Sequence, residues 1–469
     1  MEMSSFTATG RAGVSATLLS DYQCLGINPA NLAFKPEKEN KNITLGLAEM
    51  GFSVYSDALN RYNLASAIFD PGRRLSNTEK KQAAQDFAGK ALTVNMDFLY
   101  GGISWQSDAG ISGCSFTVRE RAQWYSKFSP LASEIMFKGI NAQYLNPLTD
   151  SLEYYFQNFS QKIDTVDGKI RIDTVGASRL LEKALQISKI LDGSRIAMAW
   201  NREYAFGYGV NIVNHYKFKL NLGLGIRYIQ GIGYLDLQSS GGKYSAIISA
   251  SPGLGIKFPE KSKDTSSIGF LPNSAGRGIG FEFGVTAEIN KKWRLAASVT
   301  DIGSINYLSN VYTAKDGPLQ SLTTKGFTNY NFFQNAQQFD GFQKEMILWE
   351  SFQSRRIQLP TKARLGGSIS TLIFNAGFEV VVPLNNAAGN IIKPLISIGG
   401  DLKIFRIIRI SSGLMNGGNY TQTLVPFGIT YSPLKGSYEI GIATRDIFTY
   451  LRKNNPMLSA SAGFMRYRF

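Results

Sequence analysis

Side chains along most of this chain alternate, residue by residue, between apolar types and small or polar ones. In Lys217–Tyr228 one set is Phe218, Leu220, Leu222, Leu224, Ile226 and Tyr228; the other is Lys217, Lys219, Asn221, Gly223, Gly225 and Arg227. In Gly278–Ile289 the apolar set Ile279, Phe281, Phe283, Val285, Ala287 and Ile289 opposes Gly278, Gly280, Glu282, Gly284, Thr286 and Glu288. Period two marks a strand with two unlike faces. Such segments place strands near 43–56, 91–106, 109–124, 195–214, 217–235, 277–290, 292–303, 357–370, 373–382, 393–403, 404–415, 420–432, 435–445 and 458–469. The total of fourteen is even, as an up-and-down closed barrel with both ends on one side requires.

The connections also alternate. Short turns fall at Ser107–Asp108, Asn214–Tyr216, Asn290–Lys292, Thr371–Ile373, near Lys403–Phe405 and at Ser432–Lys435. Long connections fall at 57–90, 125–194, 236–276 and 304–356, with lesser ones at 383–392, 416–419 and 446–457. A soluble sandwich has no reason to sort its loops this way, whereas outer-membrane barrels have short periplasmic turns and long extracellular loops. Within the long loops, helical spacing predicts a helix over Ala177–Leu191 (Leu180, Leu181, Ala184, Ile187, Ile190, Leu191), with others at Thr78–Ala88 and Tyr144–Ser160.

Length alone would suggest about three domains for 469 residues, at roughly 150 residues each. The alternation argues instead for one all-β domain, a 14-stranded antiparallel transmembrane β-barrel over 43–469 with an N-terminal plug over 1–42. A polar inside and an apolar outside average to the observed mean hydropathy of −0.11. No apolar run approaches the roughly 18 residues of a membrane helix, and 22 tyrosines with 30 phenylalanines argue against disorder. Trp105, Trp124 and Trp293 suit aromatic girdles at the membrane interfaces.

Several chemistries are disfavoured. Triads built on Ser or Cys need a histidine base in their usual form, and the one histidine, His215, falls in an expected turn. No Cys/His cluster suits a metal, and Cys24 and Cys114 lack redox or metal spacing; whether they pair is open. Gly276-Arg277-Gly278-Ile279-Gly280 repeats at period two and matches no phosphate-binding fingerprint. The expectation is a non-enzyme without metal or cofactor. The net charge of +15 is dispersed among strands, which fits the anionic lipids and lipopolysaccharide of an outer membrane better than nucleic acid. Inward-phase ions of both signs must mostly neutralise each other in a narrow lumen. Among them Lys217, Lys219, Arg227, Glu282, Arg294, Arg466 and Arg468 are candidate ligand-binding residues.

The chain ends carry resemblances. Leu458–Phe469 closes on Phe469 with Tyr467 two residues earlier, which resembles the C-terminal signal of bacterial outer-membrane barrels and implies the barrel assembly machinery as a partner. Met1–Thr9 has neither a basic start nor an apolar core, so no signal peptide is present; the expectation is a mature outer-membrane chain. Thr9–Phe34, with Asn28, Pro29 and Ala30, resembles the start of long-chain fatty-acid transporter-like (FadL-like) outer-membrane proteins, where this segment forms a hatch inside a fourteen-stranded barrel. Trp293–Tyr307, with its Asp-Ile-Gly corner, is similar to a little-characterised FadL-like subfamily that includes relatives of the type 9 secretion shuttle barrel.

The resemblance implies a plugged channel for hydrophobic or amphipathic small molecules. The alternative is a non-transporting barrel that serves as partner or scaffold in an outer-membrane complex such as a secretion translocon. An apolar pocket leading to a gap in the wall would favour the first, and a solid lumen the second.

Overall fold

The computed structural model describes residues 5–34, 41–70, 72–107, 111–142, 160–166, 169–175, 186–251, 273–319, 326–330, 348–404 and 407–469. Fourteen antiparallel strands run in chain order around a closed wall: β1 Ile43–Ser56, β2 Ala91–Gln106, β3 Ser112–Lys127, β4 Arg195–His215, β5 Phe218–Ser240, β6 Gly276–Ile289, β7 Trp293–Tyr307, β8 Lys362–Ser370, β9 Phe374–Pro383, β10 Leu395–Ile404, β11 Ile408–Gly417, β12 Phe427–Tyr431, β13 Tyr438–Thr444 and β14 Met457–Arg468. β14 pairs with β1, from Thr44↔Arg468 to Tyr55↔Met457, and that pairing closes the barrel without an edge. Both ends of the barrel domain meet on the short-turn side, where Asn42 N–H and Ile43 N–H donate to Phe469 C=O at 2.7 and 3.2 Å.

The alternation becomes an apolar outside. Phe116, Phe206, Leu224, Ile226, Phe281, Phe283, Leu295, Ile396, Ile398 and Ile442 all project outward with 40% or more of their surface exposed. Monomeric soluble proteins do not expose a continuous belt of this kind, whereas a membrane barrel requires it. Trp105 and Trp293 stand exposed near the short-turn end, as a girdle requires. Among the described residues no helix is long and apolar enough to cross a membrane.

The wall is not uniform. Around one height the ladder is irregular on neighbouring strands: the β1–β2 pairing skips Ala48, a non-glycine residue at φ +52°, and Tyr100 is the extra residue of β2 against β3. β13 against β14 shifts register between Glu439 and Gly441. Such bulges re-aim side chains; this last one leaves Phe464 and Met465 both outside and turns Arg466 inward. β7 is bulged between Val299 and Ile302. That bulge is the structural basis of the Asp-Ile-Gly corner: Asp301 at φ +60° points its carboxylate into the lumen, and Gly303 takes φ +150°.

Inside the wall lies the N-terminal segment 5–34, almost wholly buried. It holds helix α1 (Phe6–Gly10), capped by Ser5, and short 3-10 turns at Tyr22–Cys24 and Pro29–Ala33. Inward-facing glycines let it lie against the wall. A Cβ at Gly223 would collide with the backbone of Pro29 and Ala30, and one at Gly284 with the Asn28 carboxamide. This close approach explains why the lumen phase of the alternation is rich in glycine.

The long connections cover the other end. Helices α2 (Arg61–Phe69), α3 (Asn77–Phe87) and α4 (Pro130–Lys138) fold together, with Phe87 and Phe137 rings 5.1 Å apart and Ser133 Oγ donating to Ala84 C=O at 2.7 Å. The expected helix over Thr78–Ala88 is α3. Of the one expected over Ala177–Leu191, only α5 (Ile187–Ile190) lies in the described residues and is helical, and the one at Tyr144–Ser160 lies outside them. α2 and α4 were not anticipated: each is nine residues long, too short for helical spacing to repeat more than twice.

If the glycine floor seats the N-terminal segment, Gly223→Leu will leave the barrel assembled but unseat the segment. The expected result is an unchanged heat-modifiable gel shift, with residues 5–34 newly cleaved by added protease.

Candidate functional site

The inner face of the barrel is a set of wall carboxylates that hold the N-terminal segment. Glu379 accepts from the backbone N–H of Ser15 at 2.6 Å and of Ala16 at 2.8 Å, and pairs with Arg364 at 2.8 Å. Glu282 accepts from Gly26 N–H at 2.6 Å. Glu49 accepts from the Tyr22 hydroxyl and from Gln23 Nε2 at 2.9–3.0 Å. Asp401 pairs with Arg11 at 3.1 Å. Asn28 Nδ2 donates to Ala16 C=O at 2.9 Å and to Thr286 Oγ1 at 2.8 Å, while its Oδ1 caps the turn at Ala30 N–H. Asn28, Pro29 and Ala30 thus form a seated turn with a side chain at its centre that ties two parts of the segment to β6.

Of the other candidates, Arg227 bridges Glu203 at 3.1 Å and Asp301 at 2.8 Å. Arg121 and Lys362 complete that cluster around Asp301 at 3.4 and 3.6 Å. Arg466 joins Asp21 of the segment to Glu439, the latter at 3.1 Å, and Arg468 lies 3.5 Å from Glu439. Arg294 pairs with Glu288 at 2.8 Å and covers the Phe34 ring at 4.2 Å. Lys219 sits half-buried at the short-turn rim, in register with Glu288. Lys217 is a correction: β4 ends at His215 and β5 begins at Phe218, so Lys217 is exposed in the turn, its ammonium over the Tyr216 ring. Tyr467 is outside, between Tyr438 and Phe469 rings. Cys24 is buried in the segment, and both cysteines are free. His215 lies exposed beside Tyr216.

The lumen beside the segment is tight. A void lined by Thr9, Ser15, Arg364 and Met415 measures about 30 Å³, room for a few waters. The substantial apolar cavity, about 660 Å³, lies on the outer face of β1–β4. Registered rows form its floor: Phe52–Met96–Ala122–Trp200 and Val54–Val94–Trp124–Met198. Leu59, Leu64, Ala67 and Ile68 of the first long connection roof it, with Tyr330. Phe52 and Met96 remain 36% and 55% exposed, so the cavity opens toward the apolar belt. Trp124, expected in a girdle, is instead part of the cavity, and its Nε1–H is buried with no acceptor among the described residues.

The next row toward the short turns carries charge on the outward face. Glu120 accepts from Trp200 Nε1 at 2.7 Å, from Tyr100 at 2.9 Å and from Arg202 Nε and Nη2 at 3.0 and 2.9 Å. The pair is locally neutral, and the cavity beside it offers one unused donor. The site therefore suits a neutral, largely apolar ligand. Tyr100 belongs to this cluster and is also the bulged residue of β2. Directly across the wall, the Tyr22 ring lies where Cβ atoms on Gly46 and Gly102 would be. Sequence reasoning missed Glu120 and Arg202 by attending to lumen-phase charge. The available signal was two opposite charges on the apolar phase of neighbouring strands.

A model of a family of unknown function (DUF5723) matches residues 186–390. No curated protein matches. Among solved structures, the chain is similar to the Pseudomonas putida toluene transporter TodX (12% identity, 100% of this chain and 99% of that chain, TM-score 0.45). It is also similar to the Ralstonia pickettii toluene transporter TbuX (10%, 100% and 99%, 0.43) and to a Pseudomonas aeruginosa FadL homologue (11%, 99% and 95%, 0.39).

Removing one partner of a desolvated ion pair costs about 3–5 kcal/mol, whereas replacing both by apolar groups costs little. Glu120→Ala should therefore lower stability in detergent-solubilised urea unfolding far more than the double change Glu120→Met with Arg202→Met.

Proposed function

We propose that this barrel takes a neutral hydrophobic small molecule from the outer membrane through the lateral cavity and passes it inward at the irregular stretch of wall behind Tyr100. The observation that carries the reading is the cavity itself. Its size falls within the usual 300–1,000 Å³ of ligand pockets. Its floor is apolar and rich in aromatic rings, and its mouth faces the lipid rather than the solvent. Burial of a molecule there is driven by packing and by the orphaned Trp124 donor, with no charge to be matched.

Passage requires one movement. Tyr22 covers the inside of the wall at Gly46 and Gly102, held by its hydrogen bond to Glu49 and by Arg466 at 5.8 Å from its ring. A shift of Tyr22 would open a part of the wall where the ladder is already irregular and a cavity lies outside. The reading of the barrel as a subunit of a secretion assembly has no comparable structural observation behind it.

Two variants test the two halves of this reading. Ala122→Trp fills the cavity floor and should abolish saturable binding of an apolar fluorophore to the purified protein. Unchanged binding would remove the cavity from consideration. Tyr22→Ala should raise the flux of a small aromatic hydrocarbon into proteoliposomes while binding at the cavity persists; unchanged flux would rule out the route behind Tyr100.

A further inference from the structure

A second feature of the outer wall lies away from the cavity, at the long-connection rim of β6 and β7. Strand Arg355–Gln358 pairs with the end of β7 before the chain breaks at Pro360 and enters β8. In the resulting register Asn306 stands between Arg277 of β6 and Arg356. All three project outward, so two guanidinium groups flank one short side chain across two strand spacings, about 10 Å. Among the described residues neither arginine has an ion-pair partner. Arg356 lines the groove beside this pair and is steadied by its Nε–H donating to Ser304 Oγ at 2.8 Å.

The groove beside them measures about 620 Å³, and its apolar wall is Tyr228, Ile279 and Phe281. These three continue downward into the exposed belt of Ile226, Leu224 and Phe283. The arginine pair therefore sits where the apolar belt ends on the side of the long loops, which is the headgroup level of the outer leaflet. Cationic groups at that level, directly above an apolar furrow, complement a molecule with a phosphate at one end and an acyl chain at the other. Arginine suits the anion because its planar fork donates in pairs to phosphate oxygens.

We propose that this groove is a binding site for a phosphorylated glycolipid of the outer leaflet, with the phosphate held between Arg277 and Arg356 and an acyl chain along Tyr228, Ile279 and Phe281. The site is independent of the transport reading, since it lies on other strands and uses no residue of the cavity.

The test is native mass spectrometry of the full chain in detergent, titrated with bisphosphorylated lipid A and with its dephosphorylated analogue. Lipid A should bind about tenfold or more tightly than the analogue. The double change Arg277→Gln with Arg356→Gln should erase that preference, while Lys81→Gln with Lys90→Gln, on exposed loop positions, should keep it. Equal binding of the two lipids to the unaltered protein would overturn the proposal, and this arm needs no variant to fold. Retention of the preference by the arginine variant would overturn it as well. Displacement of lipid A by millimolar inorganic phosphate alone would show a free-anion site and count against the acyl half of the proposal.

Discussion

A closed sheet must put one of its faces inside, and in this barrel that face carries carboxylates that cannot be left alone. Glu49, Glu282, Glu379 and Asp401 each take hydrogen bonds or an ion pair from the N-terminal segment, and Glu439 reaches it through Arg466. An unpartnered buried ion is costly, so the segment and the wall satisfy each other. Inward glycines bring the segment's backbone N–H groups within reach of Glu282 and Glu379. Among the described residues the segment and the inner wall therefore hold each other through these partners, with a small void between them.

The interior and the outer face differ. Beside the segment the described residues line only small voids, whereas the outer face of β1–β4 has a roofed apolar space because the first long connection folds back over the wall. The residues that define it come in register rows from four strands, and their roof comes from the connection that follows β1, with Tyr330 from far along the chain. Glu120 and Arg202 lie below it, where lone charge would face lipid, and each is tolerated because the other, with Tyr100 and Trp200, completes its hydrogen bonds.

Much of the architecture was legible because a barrel strand writes its two environments into alternate residues. Fourteen strands, their short turns and the sides on which the loops fall all follow from period and spacing. The lumen charges were legible as a group, since inward ions must pair, but not their partners. Arg227 meets Asp301 only because a bulge turns that carboxylate inward, and bulges leave little trace in a pattern of period two. Lys217 was placed on the lumen face by extending the alternation one residue into a turn. The outer cavity could not be read at all, since its roof is a connection folded back against the wall, a contact that strand periodicity does not record. Trp124 shows the limit: an aromatic on the outward phase fits a girdle or a pocket equally well until the loop above it is placed.

The irregular stretch of wall connects these parts. Ala48, Tyr100 and the Phe464–Met465 bulge lie on neighbouring strands at similar height, and the last of them turns Arg466 inward to Asp21 and Glu439. Tyr100 is at once the bulged residue and a donor to Glu120, while Tyr22 covers the same wall from within and donates to Glu49. A regular ladder would resist separation with evenly spaced hydrogen bonds, and here that regularity is lost between an outer cavity and an inner tyrosine. On the proposed route the wall would open where there is something on each side to move toward. Such coincidence of bulge, cavity and displaceable side chain follows from no single local preference. It requires the N-terminal segment, four wall strands and a long connection to be arranged together.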